Sequence, residues 1–350
     1  MLDKAVPLAA HLADWAGDDA QRVAVMQTLL AVAEVAGELS ETILQGPFSQ
    51  GLATKRDASD HGDQQAALDI QADDSFRAAL KGSAVAWYGS EEQAEPVHLN
   101  PDGSLCLVID PLDGSSNIDT NVSIGSIFGI LPCTGGNGSG MLDLFRPGKH
   151  LLASGFVIYG PHTALVLTVG KGTDIFARDP KDDTFRLARA GVTIPQGQRE
   201  YAINASNYRH WDEAIRTYVD DCIAGVEGPR GANFNMRWIA SLVAEAFRIL
   251  VRGGVFLYPA DGRKGYENGR LRLVYEANPI AHLICQAGGR ATNGVTDIHD
   301  LQPEGLHQRT PLVFGAKDKV DRVANNYAGP PPSTSERSPL FAPRGLFYHP

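Results

Sequence analysis

Five consecutive apolar residues, Leu105-Cys106-Leu107-Val108-Ile109, run directly into Asp110-Pro111-Leu112-Asp113-Gly114. A run with no polar member leaves neither face for water, so it reads as a strand covered on both sides. Covering both faces of a sheet takes further layers of secondary structure, which points to an α/β (α+β) class. Pro111 and Gly114 then force a turn, so Asp110 ends the strand, and Asp110 and Asp113 both project from its carboxyl end.

Similar apolar runs at residues 84–88 and 126–130 predict two more buried strands, and 155–159 and 164–169 are further candidates. Residues 20–44 carry Val23, Met26, Leu29, Leu30, Ala33, Ala36, Leu39 and Ile43 at spacings of three and four, which predicts an amphipathic helix ending near Gly46-Pro47. Leu68 and Ile70 alternate as a short strand, after which Asp73 and Asp74 open a helix that Gly82 closes. The stretch Gly135 to Gly140 reads as a flexible turn.

With 350 residues the chain has room for two domains. The pattern breaks at Thr193-Ile194-Pro195-Gln196-Gly197, and a new series starts with Tyr201-Ala202-Ile203. We therefore expect one domain over 1–194, a second over 195–328 and a mobile tail over 329–350. In the second domain helices are expected at about 211–223, 236–251 and 279–287, with a strand at 255–258.

The formal net charge is -10 with no offsetting run of Lys or Arg, which argues against nucleic acid as a partner. It does not argue against a small phosphorylated ligand, which local donors and cations hold whatever the global charge. Cys106, Cys133, Cys222 and Cys285 are widely spaced, with no Cys-x-x-Cys pair, and read as reduced thiols. The N-terminus shows no apolar secretory core and no 18 apolar residues run together, so a cytoplasmic protein without a membrane partner is expected.

Two carboxylates meeting at one strand end repel each other and lose hydration, which costs several kcal/mol unless a cation offsets it. Oxygen ligands of this kind suit Mg²⁺ or Mn²⁺. Gly114, Ser115 and Ser116 follow at once with small unhindered donors of the sort that wrap a phosphate. Taken alone, Asp-x-x-Asp-Gly-Ser is also a capped acidic turn. Further carboxylates favour the metal: Glu91 and Glu92 follow the strand at 84–88, and Asp63 and Asp69 flank the start of the Leu68 strand.

Residues 110–130, DPLDGSSNIDTNVSIGSIFGI, resemble the signature of class I fructose-1,6-bisphosphatases, within the wider lithium-sensitive phosphatase superfamily. The resemblance extends to Gly62-Asp63-Gln64 with Asp69, to Ser90-Glu91-Glu92, to residues 253–260 (GGVFLYPA) and 271–279 (LRLVYEANP), and to Gln286-Ala287-Gly288-Gly289. It covers about residues 20–328. It implies a layered α-β-α-β-α sandwich of the sugar phosphatase type. The implied reaction is hydrolysis of the 1-phosphate of D-fructose 1,6-bisphosphate by metal-activated water. Glu91, Glu92, Asp110, Asp113, Glu276 and the carbonyl of Leu112 would bind two or three Mg²⁺ ions per subunit, with Mn²⁺ as the alternative. Asp63, Asp69 and Glu92 would act on the water, and Asp113, Gly114, Ser115 and Ser116 would meet the reacting phosphate. Asn204, Tyr208, Arg237, Tyr258 and Arg270 would hold the sugar and its second phosphate. The residue matching Arg237 serves a neighbouring subunit in the family, which implies a homotetramer.

The chain departs from the family pattern in places. Trp238 stands where Tyr is usual, Ala205 where Glu is usual and Arg270 where Lys is usual, so broader specificity, including sedoheptulose 1,7-bisphosphate, is a live alternative. The helix at 24–28 reads Ala-Val-Met-Gln-Thr rather than the Thr-Gly-Glu grip of AMP-inhibited members, and Ser104-Leu105 replace a Lys-Tyr pair, so strong AMP inhibition is expected to be absent. An inositol monophosphatase would carry Trp-Asp where this chain has Tyr275-Glu276, and a non-catalytic sugar-phosphate sensor would have lost a ligand carboxylate. Gluconeogenesis and the Calvin cycle are not distinguished by these residues.

Overall fold

The computed structural model describes residues 5–46, 61–134 and 139–329. The first half of the chain builds an eight-stranded sheet in the order β2-β1-β3-β4-β5-β6-β7-β8. Its strands are β1 (Val85–Ser90), β2 (Val97–His98), β3 (Leu105–Asp113), β4 (Ile124–Pro132), β5 (Ala153–Tyr159), β6 (Thr163–Thr168), β7 (Asp174–Arg178) and β8 (Phe185–Arg189). From β3 onward neighbours are antiparallel, whereas β1 runs parallel to β3, so the carboxyl ends of β1 and β3 lie side by side. All nine residues of β3 are buried, as its apolar run requires.

One face of this sheet is covered by α1 (Leu8–Ala16), α2 (Ala20–Gln45) and α3 (His61–Leu80), with Leu29, Val32, Phe76, Phe128, Val157 and Leu165 in a shared core. Gly46 ends α2 close to the expected place. By length and composition α2 could cross a membrane, but 61% of its most apolar stretch is buried inside the fold. The expected strand at Leu68 is instead part of α3. Leu68, Ala72, Phe76 and Leu80, four residues apart, are 0–1% exposed, whereas Ile70 is 56% exposed. Two alternating residues were too short a pattern to outweigh that helical stripe.

The second half forms a sheet in the order β10-β9-β11-β15-β13, from β9 (Glu200–Ala202), β10 (Asn235–Met236), β11 (Val255–Tyr258), β13 (Arg290–Thr292) and β15 (Leu312–Gly315). A separate pair joins β12 (Leu271–Arg272) to β14 (Arg309–Thr310). Between the two sheets lie α5 (Leu242–Arg252) and α6 (Asn278–Gln286), packed on Ile127 and Phe156 of one sheet and Phe256 and Phe314 of the other. The outer face, carrying Val255, Leu257 and Val313, is closed by α4 (Glu213–Ile223) and α7 (Lys317–Ala328). The layers therefore run helix, sheet, helix, sheet, helix.

The helix expected over 236–251 begins only at Leu242. Residues 235–236 pair with β9, Ala240 turns through φ 63°, and the Ser241 side chain caps the helix by accepting from Ala244 N–H. Asp212 likewise caps α4, which starts at Glu213 rather than Trp211. The turn expected at 135–140 falls largely outside the described residues, as does the tail from 330 onward.

Candidate metal and phosphate site

In an unbroken strand Asp110 and Asp113, an odd number of residues apart, would point to opposite faces. β3 does not stop at Asp110 as expected but continues through a bulge, with Asp110 opposite Ile127 and Asp113 opposite Gly125. Three steps on β3 thus match two on β4, and the extra residue restores both aspartates to one side. The turn is held from within: Leu112 N–H donates to Asp110 Oδ1 at 3.0 Å, and Ser126 Oγ donates to the Pro111 carbonyl at 2.7 Å.

Glu276 comes from the other half of the chain, in a π-type turn (Leu273–Ala277) that leads into α6. Ligand oxygens of Asp110, Asp113 and Glu276 lie within 4.8 Å of one another, with all three residues buried. Burial, reinforced by the charges of Glu91, Asp113 and Glu276, pushes the Asp110 carboxyl well above the usual range. Glu276 is raised in the same way, by burial and then by Glu91 and Asp113. Burial pushes Asp113 up to about 7, although Val243 N–H, at the start of α5, donates to its Oδ2 at 3.2 Å and opposes the rise.

Glu91 and Glu92 follow β1 and therefore stand beside the end of β3, where Glu91 N–H donates to Ile109 O at 3.1 Å. Arg272 approaches Glu91 at 3.7 Å, and its backbone N–H donates to Glu276. Asp69, on α3, reaches the same cluster: burial and then the charge of Glu92 push it up to about 7, against a hydrogen bond from Ser115. Glu92 is raised by burial, Glu91 and Asp73. Asp63 lies in α3, but its side chain is outside the described residues. A donor set of this composition, all oxygen, mutually repelling and with Asp110, Asp113 and Glu276 buried at its centre, fits a hard divalent cation.

Gly114 adopts φ 77°, a left-handed conformation that suits glycine, and starts the short helical turn Ser115–Asn117. Ser115 is half-buried toward Asp69, and Ser116 is exposed. Beside this turn opens a cavity of about 250 Å³ lined by Asp113, Gly114, Asn204, Trp238, Ala240, Ser241, Leu242, Phe256, Tyr258 and Leu271. Asn204 and Tyr258, expected from the sequence, are thus on the wall. Arg270 is exposed next to it, its guanidinium 5.8 Å from the Tyr258 ring centroid. Arg237 is half exposed on the way from β10, with Glu200 at 3.6 Å. Tyr208 is not on the cavity wall; its hydroxyl donates to Asp220 at 2.8–2.9 Å.

Several contributors had no role assigned from sequence. Val243 N–H serves Asp113, Arg272 serves Glu276, and Asn117 Nδ2 donates to Ala240 O at 2.8 Å, tying the phosphate-side turn to the segment before α5. The first two act through backbone amides, which no side-chain motif encodes. A signal did exist at α5, where Ser241 precedes the apolar pair Leu242-Val243 and so marks a helix start.

The family model described as fructose-1-6-bisphosphatase, N-terminal domain, matches residues 21–190, and the one described as its C-terminal domain matches residues 194–328. The chain is 54% identical over 335 residues to a "Fructose-1,6-bisphosphatase class 1" of Rhizobium meliloti (strain 1021), covering 95% of each chain. It is 51% identical over 343 residues to a "Fructose-1,6-bisphosphatase class 1 1" of Xanthobacter autotrophicus, covering 98% of this chain and 92% of that one. Among solved structures, Leishmania major fructose-1,6-bisphosphatase in holo form aligns with a TM-score of 0.83 at 31% identity, over 93% of this chain and 100% of that one.

Proposed function

The chain belongs to the fructose-1,6-bisphosphatase family, and on that premise we propose that it hydrolyses D-fructose 1,6-bisphosphate at the 1-phosphate, giving fructose 6-phosphate and inorganic phosphate. The observation that carries this reading is the convergence of buried Asp110, Asp113 and Glu276 within 4.8 Å beside a cavity with donors at its mouth.

Asp110, Asp113 and Glu276, with Glu91, Glu92 and the Leu112 carbonyl, would hold two or three Mg²⁺ ions per subunit, or Mn²⁺ in their place. When bound, these ions supply Lewis-acid polarisation of the phosphoryl group and charge for the leaving oxygen. Glu92, its basicity raised by burial and by Glu91, accepts a proton from the attacking water, with Asp69 and Asp63 orienting that water. The water oxygen joins phosphorus as the ester P–O bond breaks, and the departing sugar oxygen takes a proton from solvent, which the proton held by Glu92 then replaces. Gly114, Ser115 and Ser116 donate to the phosphate throughout. Uncatalysed monoester hydrolysis is so slow that the general base, worth about 10²–10⁴-fold, leaves most of the acceleration to electrostatics.

Asn204, Tyr258 and Arg270 hold the sugar and second phosphate, and Tyr208 joins them only by releasing Asp220. Arg237 would serve a neighbouring subunit in a homotetramer. A cytoplasmic location, and a place in gluconeogenesis or the Calvin cycle, belong to the same proposal. A second reading, turnover of sedoheptulose 1,7-bisphosphate alongside, is favoured by the apolar wall of Trp238, Phe256 and Leu271, which sets no fixed hydrogen-bond reach for the sugar.

The test is phosphate release from fructose 1,6-bisphosphate, sedoheptulose 1,7-bisphosphate and inositol monophosphate, with and without Mg²⁺. Mg²⁺-dependent turnover of the first, lowered about a hundred- to a thousandfold in Asp113→Ala, is expected. Turnover that survives chelation, or no turnover of any sugar bisphosphate, would refute the reading.

A further inference from the structure

The turn that carries Glu91 and Glu92 and the turn that carries Glu276 come from opposite halves of the chain, yet one side chain is hydrogen-bonded to both. His307 lies in the loop before β14. Its Nε2 is 3.0 Å from the Gln93 carbonyl and its Nδ1 is 2.8 Å from the Tyr275 hydroxyl. A carbonyl only accepts, so Nε2 carries the proton, and Nδ1 then accepts from Tyr275. Gln93 directly follows Glu92, and Tyr275 directly precedes Glu276.

Each end of the bridge is anchored separately. Tyr275 is fully buried and meets the imidazole edge-on, with centroids 5.9 Å apart. The Gln93 side chain donates to the buried carboxylate of Asp73, which also takes the Tyr88 hydroxyl at 2.8 Å. The loop itself is pinned by buried Leu306 against Gly89 of β1, and by Leu273 N–H, which donates to the Gln308 carbonyl at 2.7 Å. His307 is exposed, but both ring nitrogens are committed, unlike a surface histidine that faces only water.

We propose that His307 is a positioning residue for the metal centre: by bridging Gln93 and Tyr275 it fixes the spacing of Glu91 and Glu92 from Glu276, and so sets the affinity for divalent cation. The proposal rests on the metal-site reading above. It acts through neighbours of the ligands and not on the ion; partners bonded directly to a ligand typically change metal affinity by about 10–100-fold when removed, and a bridge one residue further out is expected at the lower end of that range.

The test is calorimetric titration of Mg²⁺, and separately Mn²⁺, into the full-length metal-free protein and its His307→Ala, His307→Gln and Tyr275→Phe variants. His307→Ala is expected to weaken binding by about tenfold or more. His307→Gln, which keeps a donor and an acceptor, should recover most of it, and Tyr275→Phe should fall between. At saturating metal the KM for fructose 1,6-bisphosphate should stay close to wild type, because the cavity is built from other residues. Unchanged cation affinity in His307→Ala, or a Tm loss with no selective loss of cation affinity, would reduce His307 to a scaffold residue and overturn the inference. Should His307→Ala fail to fold, Tyr275→Phe decides the question in its place, since it removes one bond of the bridge and leaves the ring: wild-type cation affinity in that variant would overturn the inference equally. A wild-type chain that bound neither cation would instead overturn the metal-site reading itself.

Discussion

Tyr266 does not line the cavity, yet its ring lies between two guanidiniums, 4.6 Å from Arg263 and 4.8 Å from Arg270. The two cations differ in what else they meet. Arg263 is neutralised by a fork onto Asp261, whereas Arg270 makes no carboxylate salt bridge among the described residues and lies over the rings of Tyr266 and Tyr258. Arg270 is therefore a charge held ready at the cavity edge by aromatic faces. Contacts of this exposed kind are worth about 0.5–1 kcal/mol, so Tyr266→Ala should raise KM for the bisphosphate about two- to fivefold with kcat retained. Tyr266→Phe should behave as wild type, and equal effects on both variants would rule out the ring as the cause. Arg270 was legible from the sequence through its resemblance, but Tyr266 was not, because ring-cation contacts follow no fixed spacing. The carboxylates were legible for the opposite reason: Asp110 and Asp113 follow directly on an apolar run that marks a buried strand, although that strand continues through both of them.

At the scale of elements, the site depends on how closely β4 lets α5 approach. A Cβ on Gly125 would stand 2.2 Å from Val157 O and 2.8 Å from Val243 Cγ2. Gly125 is also the residue opposite Asp113, and Val243 supplies the N–H that Asp113 accepts. Gly125→Ala must therefore shift the backbone of β5 at Val157, the start of α5 at Val243, or both, beside the residue that accepts from Val243 N–H. Overpacking costs about 1–3 kcal/mol, and more where the obstacle is backbone, as here. We expect a lower denaturant midpoint together with a loss of Mg²⁺ affinity in titration; a stable variant with normal affinity would show that this approach is not needed. Such packing is invisible in a sequence read element by element. The strands of the first sheet were legible because they are uninterrupted and apolar. The bulge in β3 was not, since Pro111 looked like a strand end, and the stretch 235–241 was not, since Met236, Trp238 and Ile239 imitate a helical stripe while Ala240 in fact turns left-handed.

Across the whole molecule, the metal cluster is assembled from carboxylates of both halves of the chain, and this couples stability to pH. Asp69 and Asp113 ionise near pH 4 in an unfolded chain but at about 7 in the fold. Their raised values mean the native state holds more protons than the unfolded state over that interval. Their contribution is fully present below the unfolded value and is lost as pH rises through the folded one. Asp110 and Glu276, raised well above the usual carboxylate range by burial and then by the charge of Glu91, act in the same direction. One buried and one half-buried imidazole act the other way. Burial and then His299 push His282 down to about 4, and burial lowers His299 as well. Each contributes stability that grows as pH rises toward the ordinary histidine value near 6.5 and is complete above it. The two trends oppose each other below pH about 6.5, and only the carboxyl trend remains above it. The Tm of the metal-free protein should therefore fall between about pH 6.5 and 8. Saturating Mg²⁺ should flatten or reverse that fall, because a bound cation offsets the repulsion that raises these carboxyls and binds better as they ionise. A metal-free Tm that stays level or climbs across this window would mean that the carboxylates are already compensated within the fold, and the case for a cation at their centre would lose its electrostatic ground.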